Sequence, residues 1–127
     1  MASIRDLMTA YYKAGSSGDW STWLSLLDDN IIVDEQLAGR LEGIDAMKTL
    51  SERVKASYTK FNMQPQHMVV EGDEVCTGWK LEATNTNGAQ INATGANFCR
   101  FENGKIVYMT NFHDTVPFKG DTAYQTS

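Results

Sequence analysis

Cysteine and histidine are scarce in this chain, with two of each among 127 residues, and each scarcity excludes something. Two cysteines do not make a disulfide framework. Two histidines far apart, with no paired Cys or His ligands, argue against a structural zinc site. No metal and no organic cofactor is expected. Basic residues number 11 against 16 acidic ones, leaving a net charge of −5. They are scattered, so the concentrated basic footprint that a nucleic acid needs is missing. No apolar run approaches the ~20 residues of a membrane span. The opening "MASIRDLMTAYY" lacks a basic region followed by an apolar stretch, so it does not read as a signal peptide, and a cytoplasmic location is the expectation. Glycine-rich phosphate loops and the G-x-S-x-G elbow are absent as well. Any chemistry must therefore rest on isolated side chains in a pocket.

What is present is ordinary for a globular chain: 42% apolar and 21% charged residues. Ile4, Leu7, Met8, Tyr11 and Tyr12 form one apolar helical stripe, which "GSSG" at 15–18 is expected to break. Asp19 is a reasonable N-cap for a second helix with Trp20, Trp23, Leu24 and Leu27 on one face. "NIIVDEQ" reads as a strand ending in two acids. Helical spacing then returns with Ile44, Met47, Leu50 and Val54, up to about Tyr58. From residue 60 the chain is strand material punctuated by Gly72-Asp73, Asn87-Gly88 and Asn103-Gly104, residues that tolerate the positive φ of tight hairpins. Three such turns join four strands into an antiparallel meander. The order gives an α+β cone: three N-terminal helices packed on a curved antiparallel sheet that encloses a pocket. Residues 1–118 form one domain, and 119–127 a small, polar, frayed tail.

The element order, the segment "GDWSTWLSLLDDNIIVDEQ" and the closing "FENGKIVYMTNFHDTVPF" resemble the nuclear transport factor 2-like superfamily. SnoaL-like polyketide cyclases and ketosteroid isomerases are the nearest types, and the resemblance covers nearly the whole chain. It implies a site, position by position. The isomerases' enolate-binding tyrosine falls at Tyr11, and their general base at Glu35. Their second oxyanion donor falls at Asn97, and a ring-packing aromatic of the last strand at His113. The implied chemistry is proton abstraction by Glu35 with Tyr11 and Asn97 holding the oxygen that gains charge. Asn111, Met109, Trp79, Trp20 and Tyr12 complete the expected substrate-binding set. Epoxide hydrolases of the superfamily carry a W-x-D pattern on the last strand. Here Met109 and Asn111 stand at its positions, which argues against that activity. The resemblance thus implies a cofactor-independent isomerase or cyclase for a small apolar carbonyl compound, polyketide- or terpenoid-like, in a biosynthetic pathway. A small-ligand binder and a protein-interaction module are the alternatives, and the fold implies a homodimer.

Asp114 next to His113 is the remaining catalytic candidate. Successive strand residues face opposite ways, so the two share the pocket only across a bulge, and Asp114 also suits a turn before Pro117. Glu35 has an alternative as a solvated carboxylate tied to Arg40. The 75–100 hairpin leaves its register open. A two-residue Asn87-Gly88 loop sets Cys76 opposite Cys99 and puts Trp79 on the face of Phe98. A three-residue loop flips one strand.

Overall fold

The computed structural model describes residues 2–118, so the expected frayed tail at 119–127 lies outside the described residues. Helix α1 spans Ile4–Ser17, capped by Ser3, whose side chain accepts from the Asp6 N–H at 3.1 Å. The helix runs through Gly15 and ends only at Gly18, which takes φ 75° while Asp19 N–H bonds Ala14 O at 2.9 Å. The sequence pattern placed the break one turn too early. The reason is local: Gly15 lies against the Trp23 ring, and the Ser16 hydroxyl binds the Met63 backbone at 2.8 Å (to O) and 3.0 Å (from N). Tertiary contacts hold a stretch whose propensity is poor.

Asp19 does cap α2 (Trp20–Ser25), accepting from Thr22 N–H at 3.2 Å. Leu27, expected on that helix, instead opens strand β1 (Leu27–Glu35). A short strand β2 (Gly39–Glu42), not anticipated, pairs back on β1 before α3 (Ile44–Ser57). The meander is β3 (Tyr58–Glu71), β4 (Glu74–Asn85), β5 (Gln90–Glu102) and β6 (Lys105–His113), followed by a 3-10 turn at Val116–Phe118. Together the strands make one curved, open six-stranded sheet in the order β2-β1-β6-β5-β4-β3, with the three helices packed against it. All neighbours are antiparallel except β1 and β6, which run parallel. The antiparallel meander holds, and the chain adds β1 to its open β6 edge by way of the helices.

The middle hairpin takes a three-residue loop, 86–88. Asn85 N–H bonds Ala89 O at 2.9 Å, its side-chain oxygen accepts from Asn87 and Ala89 N–H, and Gly88 takes φ 84°. Val75 therefore stands opposite Cys99 and Cys76 opposite Phe98. Cys76 is exposed, Cys99 is buried, and both are free thiols. This register turns Val75, Thr77, Trp79, Leu81 and Ala83 inward to join Met8, Tyr12, Trp23, Ile31, Val33, Met47 and Met109 in the core. Among the described residues no helix is long and apolar enough to cross a membrane.

Candidate active site

Between the helices and the concave sheet face lies a cavity of about 90 Å³. That is several times the minimum that holds one water. Its walls are mainly apolar. Helices α1 and α2 give Tyr11, Tyr12, Trp20 and Trp23, α3 gives Met47, Leu50 and Val54, and β3 gives Phe61 and Met63. The sheet floor supplies the polar groups, because cross-strand register lines them up. Thr77, Asn97 and Asn111 occupy one row. Glu35, one residue past the Asp34–Thr110 pairing, comes level with that row. The next row holds Trp79, Gly95 and His113.

Glu35 and His113 form the only described pair of opposite-charge type in the cavity, with Nε2 and Oε1 3.5 Å apart. Their side chains are 9% and 5% exposed. The other ring nitrogen, Nδ1, sits 2.8 Å from the Asp114 carbonyl oxygen. A carbonyl only accepts, so Nδ1 carries a hydrogen and Nε2 is the nitrogen that gains or loses the proton facing Glu35. The Glu35 hydrogen bond pushes the His113 pKa up. Burial works against this, and the Asp114 carbonyl adds to the rise. Oε1 of Glu35 also accepts from Leu37 N–H at 3.2 Å. Both described contacts use Oε1. Arg40, the alternative partner of Glu35, instead clamps Asp34 on the outer face at 2.8 and 2.9 Å.

Tyr11 stacks on Trp23 with centroids 5.6 Å apart, and its hydroxyl donates to the Met109 thioether at 3.5 Å. A thioether accepts weakly, so this donor is readily turned to an oxygen. Burial pushes the Tyr11 phenol far above its ordinary range, which keeps it a neutral donor. Asn97 is 2% exposed and tied on both sides: its amide donates to Asn111 Oδ1 at 2.9 Å, and its oxygen accepts from the Cys99 thiol at 2.8 Å. Asn111 is the half-buried member that lines the cavity with it.

Nine of the ten residues singled out from sequence line this one cavity: Tyr11, Tyr12, Trp20, Glu35, Trp79, Asn97, Met109, Asn111 and His113. Asp114 does not. It is exposed, and its carboxylate accepts from Val116 N–H at 3.0 Å. Alternation turns its side chain away, and only its backbone carbonyl serves the site. The residues that sequence reasoning missed are Gly95, Trp23 and Phe118. Phe118 packs edge-on to the His113 ring at 5.1 Å and closes the cavity beside it. Trp23 carried a signal, being on the apolar face with Trp20. Among the described residues, no group of three or more His, Cys, Asp or Glu is placed to hold a metal.

Solved structures share this architecture at low identity. One is a Pseudomonas putida KT2440 protein named as a candidate polyketide cyclase, at TM-score 0.83 and 20% identity, covering 90% of this chain and 93% of that one. Another is TerC co-crystallised with polyporic acid, at TM-score 0.80 and 20% identity, covering 91% and 95%. A third is a Catenulispora acidiphila protein of ketosteroid isomerase-like fold in complex with trimethylamine, at TM-score 0.78 and 12% identity, covering 87% and 86%. At such identities the likeness is one of fold. No curated protein matches the chain by sequence. The sequence model of the SnoaL-like domain, however, matches residues 8–109, from the first helix into β6, and takes in Tyr11, Glu35 and Asn97; the chain belongs to the SnoaL-like family.

Proposed function

We propose that the chain is a cofactor-independent isomerase or cyclase that moves a proton on a small, largely apolar carbonyl compound, polyketide- or terpenoid-like, in a biosynthetic pathway. The observation that carries this reading is the Glu35–His113 pair, set with side chains nine-tenths buried in an aromatic-walled cavity. Glu35 takes a proton from the carbon next to the carbonyl. His113 Nε2 shares that proton across 3.5 Å and returns it at another atom, while Nδ1 stays fixed on the Asp114 carbonyl. Tyr11 and the Asn97–Asn111 amide pair donate to the oxygen that becomes an enolate. The base and its partner approach within reach without an ideal bond, as acid–base groups do before substrate tightens them.

A small flat ketone with acidic α-hydrogens, 2-indanone, tests this without knowledge of the natural substrate. In D2O the protein should accelerate α-hydrogen exchange over buffer, read by proton NMR. Glu35→Gln should reduce the acceleration by a factor of about 100 or more. If the ketone binds and exchange stays at the buffer rate, the chain is a binder of the same fold.

The outer sheet face carries the exposed Val69 and Phe112, at 69% and 59% exposure, on either side of Phe98. Burying that face against a second copy is the homodimer this reading includes, and sedimentation equilibrium checks it.

A further inference from the structure

We propose that the indole N–H of Trp79 is a further donor to the ligand's acceptor oxygen beside the Glu35–His113 pair, and that Gly95 makes this placement feasible. The proposal rests on the reading above that the cavity takes a carbonyl compound, and it adds a donor to those already set around the carbonyl oxygen. Trp79 is 2% exposed and lines the cavity, yet among the described residues its Nε1 has no hydrogen-bond partner. A buried donor left so is destabilising, and a buried indole N–H is ordinarily paired.

Among the described residues two other buried polar side-chain atoms lack partners, the hydroxyls of Tyr12 and Thr77. These two lie beside one another, since the Thr77 hydroxyl bears on the titration of Tyr12. Each can both donate and accept, so a small rotation lets them satisfy one another. The indole has no such escape. It can only donate, so its partner must be an acceptor atom, and being uncharged it suits a carbonyl or enolate oxygen rather than a cation.

The packing shows where that part of the ring lies. A Cβ at Gly95 would stand 2.5 Å from Trp79 Cζ2. Cζ2 and Nε1 flank the same ring carbon, so it is the nitrogen-bearing edge that folds over Gly95. Gly95 stands directly opposite both Trp79 and His113 in the sheet, and the Trp79 and His113 rings are 5.7 Å apart. Nε1 itself is wholly buried, so a small shift of the ring must open it to the cavity, and an oxygen it then holds is next to the groups that would work on its α-carbon. A carbonyl polarised there gains a donor that strengthens as charge develops.

The test uses 15N-labelled full chain, with the three indole signals assigned by Trp20→Phe, Trp23→Phe and Trp79→Phe. The protein is titrated with 2-indanone and with indane, which has the same rings and no oxygen. The Trp79 Nε1–H signal should move downfield with the ketone and not with the hydrocarbon. Trp79→Phe should weaken 2-indanone binding about 3- to 10-fold, the worth of one neutral hydrogen bond, and change indane binding less than twofold. Equal shifts with both compounds, no Trp79 shift up to the solubility limit of the ketone, or unchanged ketone affinity in Trp79→Phe would each overturn the proposal. Should that variant not fold, the wild-type titration decides alone. Exchange catalysis without a Trp79 shift sinks this inference and spares the proton-transfer reading, and a shift without exchange does the reverse.

Discussion

Gly95 shows how much of the site depends on one absent side chain. An added Cβ would meet Trp79 Cζ2 at 2.5 Å, the Phe112 carbonyl oxygen at 2.6 Å and His113 Cβ at 2.8 Å. The first could shift a little, but the backbone carbonyl of β6 cannot without breaking the ladder. Gly95→Ala should therefore destabilise by about 1–3 kcal/mol through overpacking, measured by urea unfolding, and should displace the His113 ring from Glu35. A glycine in a strand read from sequence suggests a bulge or a close approach and does not say of what. By contrast the family resemblance alone points to Tyr11, Glu35, Asn97 and His113, and strand alternation alone separates Asp114 from His113. Sequence could not show that Asp114 contributes its carbonyl, because backbone atoms carry no residue identity.

At the scale of elements, the two glycines of "GSSG" serve opposite ends. Gly18 ends α1 with φ 75°, in the left-handed region where a Cβ is strained. Gly15 sits within the helix, and a Cβ there would meet Trp23 Cδ1 at 3.4 Å, ordinary contact. Gly18→Ala should lower stability by about 1 kcal/mol, and Gly15→Ala should leave it level or raise it by up to about 1 kcal/mol through helix propensity. Chemical denaturation of the pair checks both signs. The same segment marks where legibility ended: composition announced a break, and only packing says which glycine makes it. The hairpin at 86–88 is a parallel case. "TNTNGAQ" announces a turn, but whether the loop has two or three residues is decided by the Asn85 side chain accepting from two N–H groups. That one-residue difference turns Trp79 into the cavity. Strand β2 was invisible for another reason. Its "GRLE" has one half-buried residue and no alternation to read, and it exists because β1 offers it an edge.

At the scale of the whole molecule, the two faces of β1 hold ion pairs that respond to opposite ends of the pH range. On the outer face Arg40 and the Tyr108 hydroxyl, bonded to Asp34 at 2.6 Å, hold its carboxyl down to about 2. A lowered carboxylate stabilises above its unfolded value of roughly 3.9, and that contribution is lost as pH falls toward about 2. On the inner face the His113 pKa is raised, chiefly by Glu35. A raised histidine stabilises fully below its unfolded value of roughly 6.5, and that contribution is lost as pH climbs through the higher folded value. The melting temperature should then be flat from about pH 4 to 6.5 as far as these two pairs decide it. It should fall at both ends, with Asp34 contributing to the acid limb and His113 to the alkaline one. Asp34→Asn should flatten the acid limb, and Glu35→Gln the alkaline limb. The Asp34 pair is exposed and screened, so added salt should shrink the acid limb more than the alkaline one. If Glu35→Gln leaves the alkaline limb unchanged, His113 and Glu35 do not share a proton in the folded protein, and the acid–base pair at the centre of the proposed mechanism is lost with it.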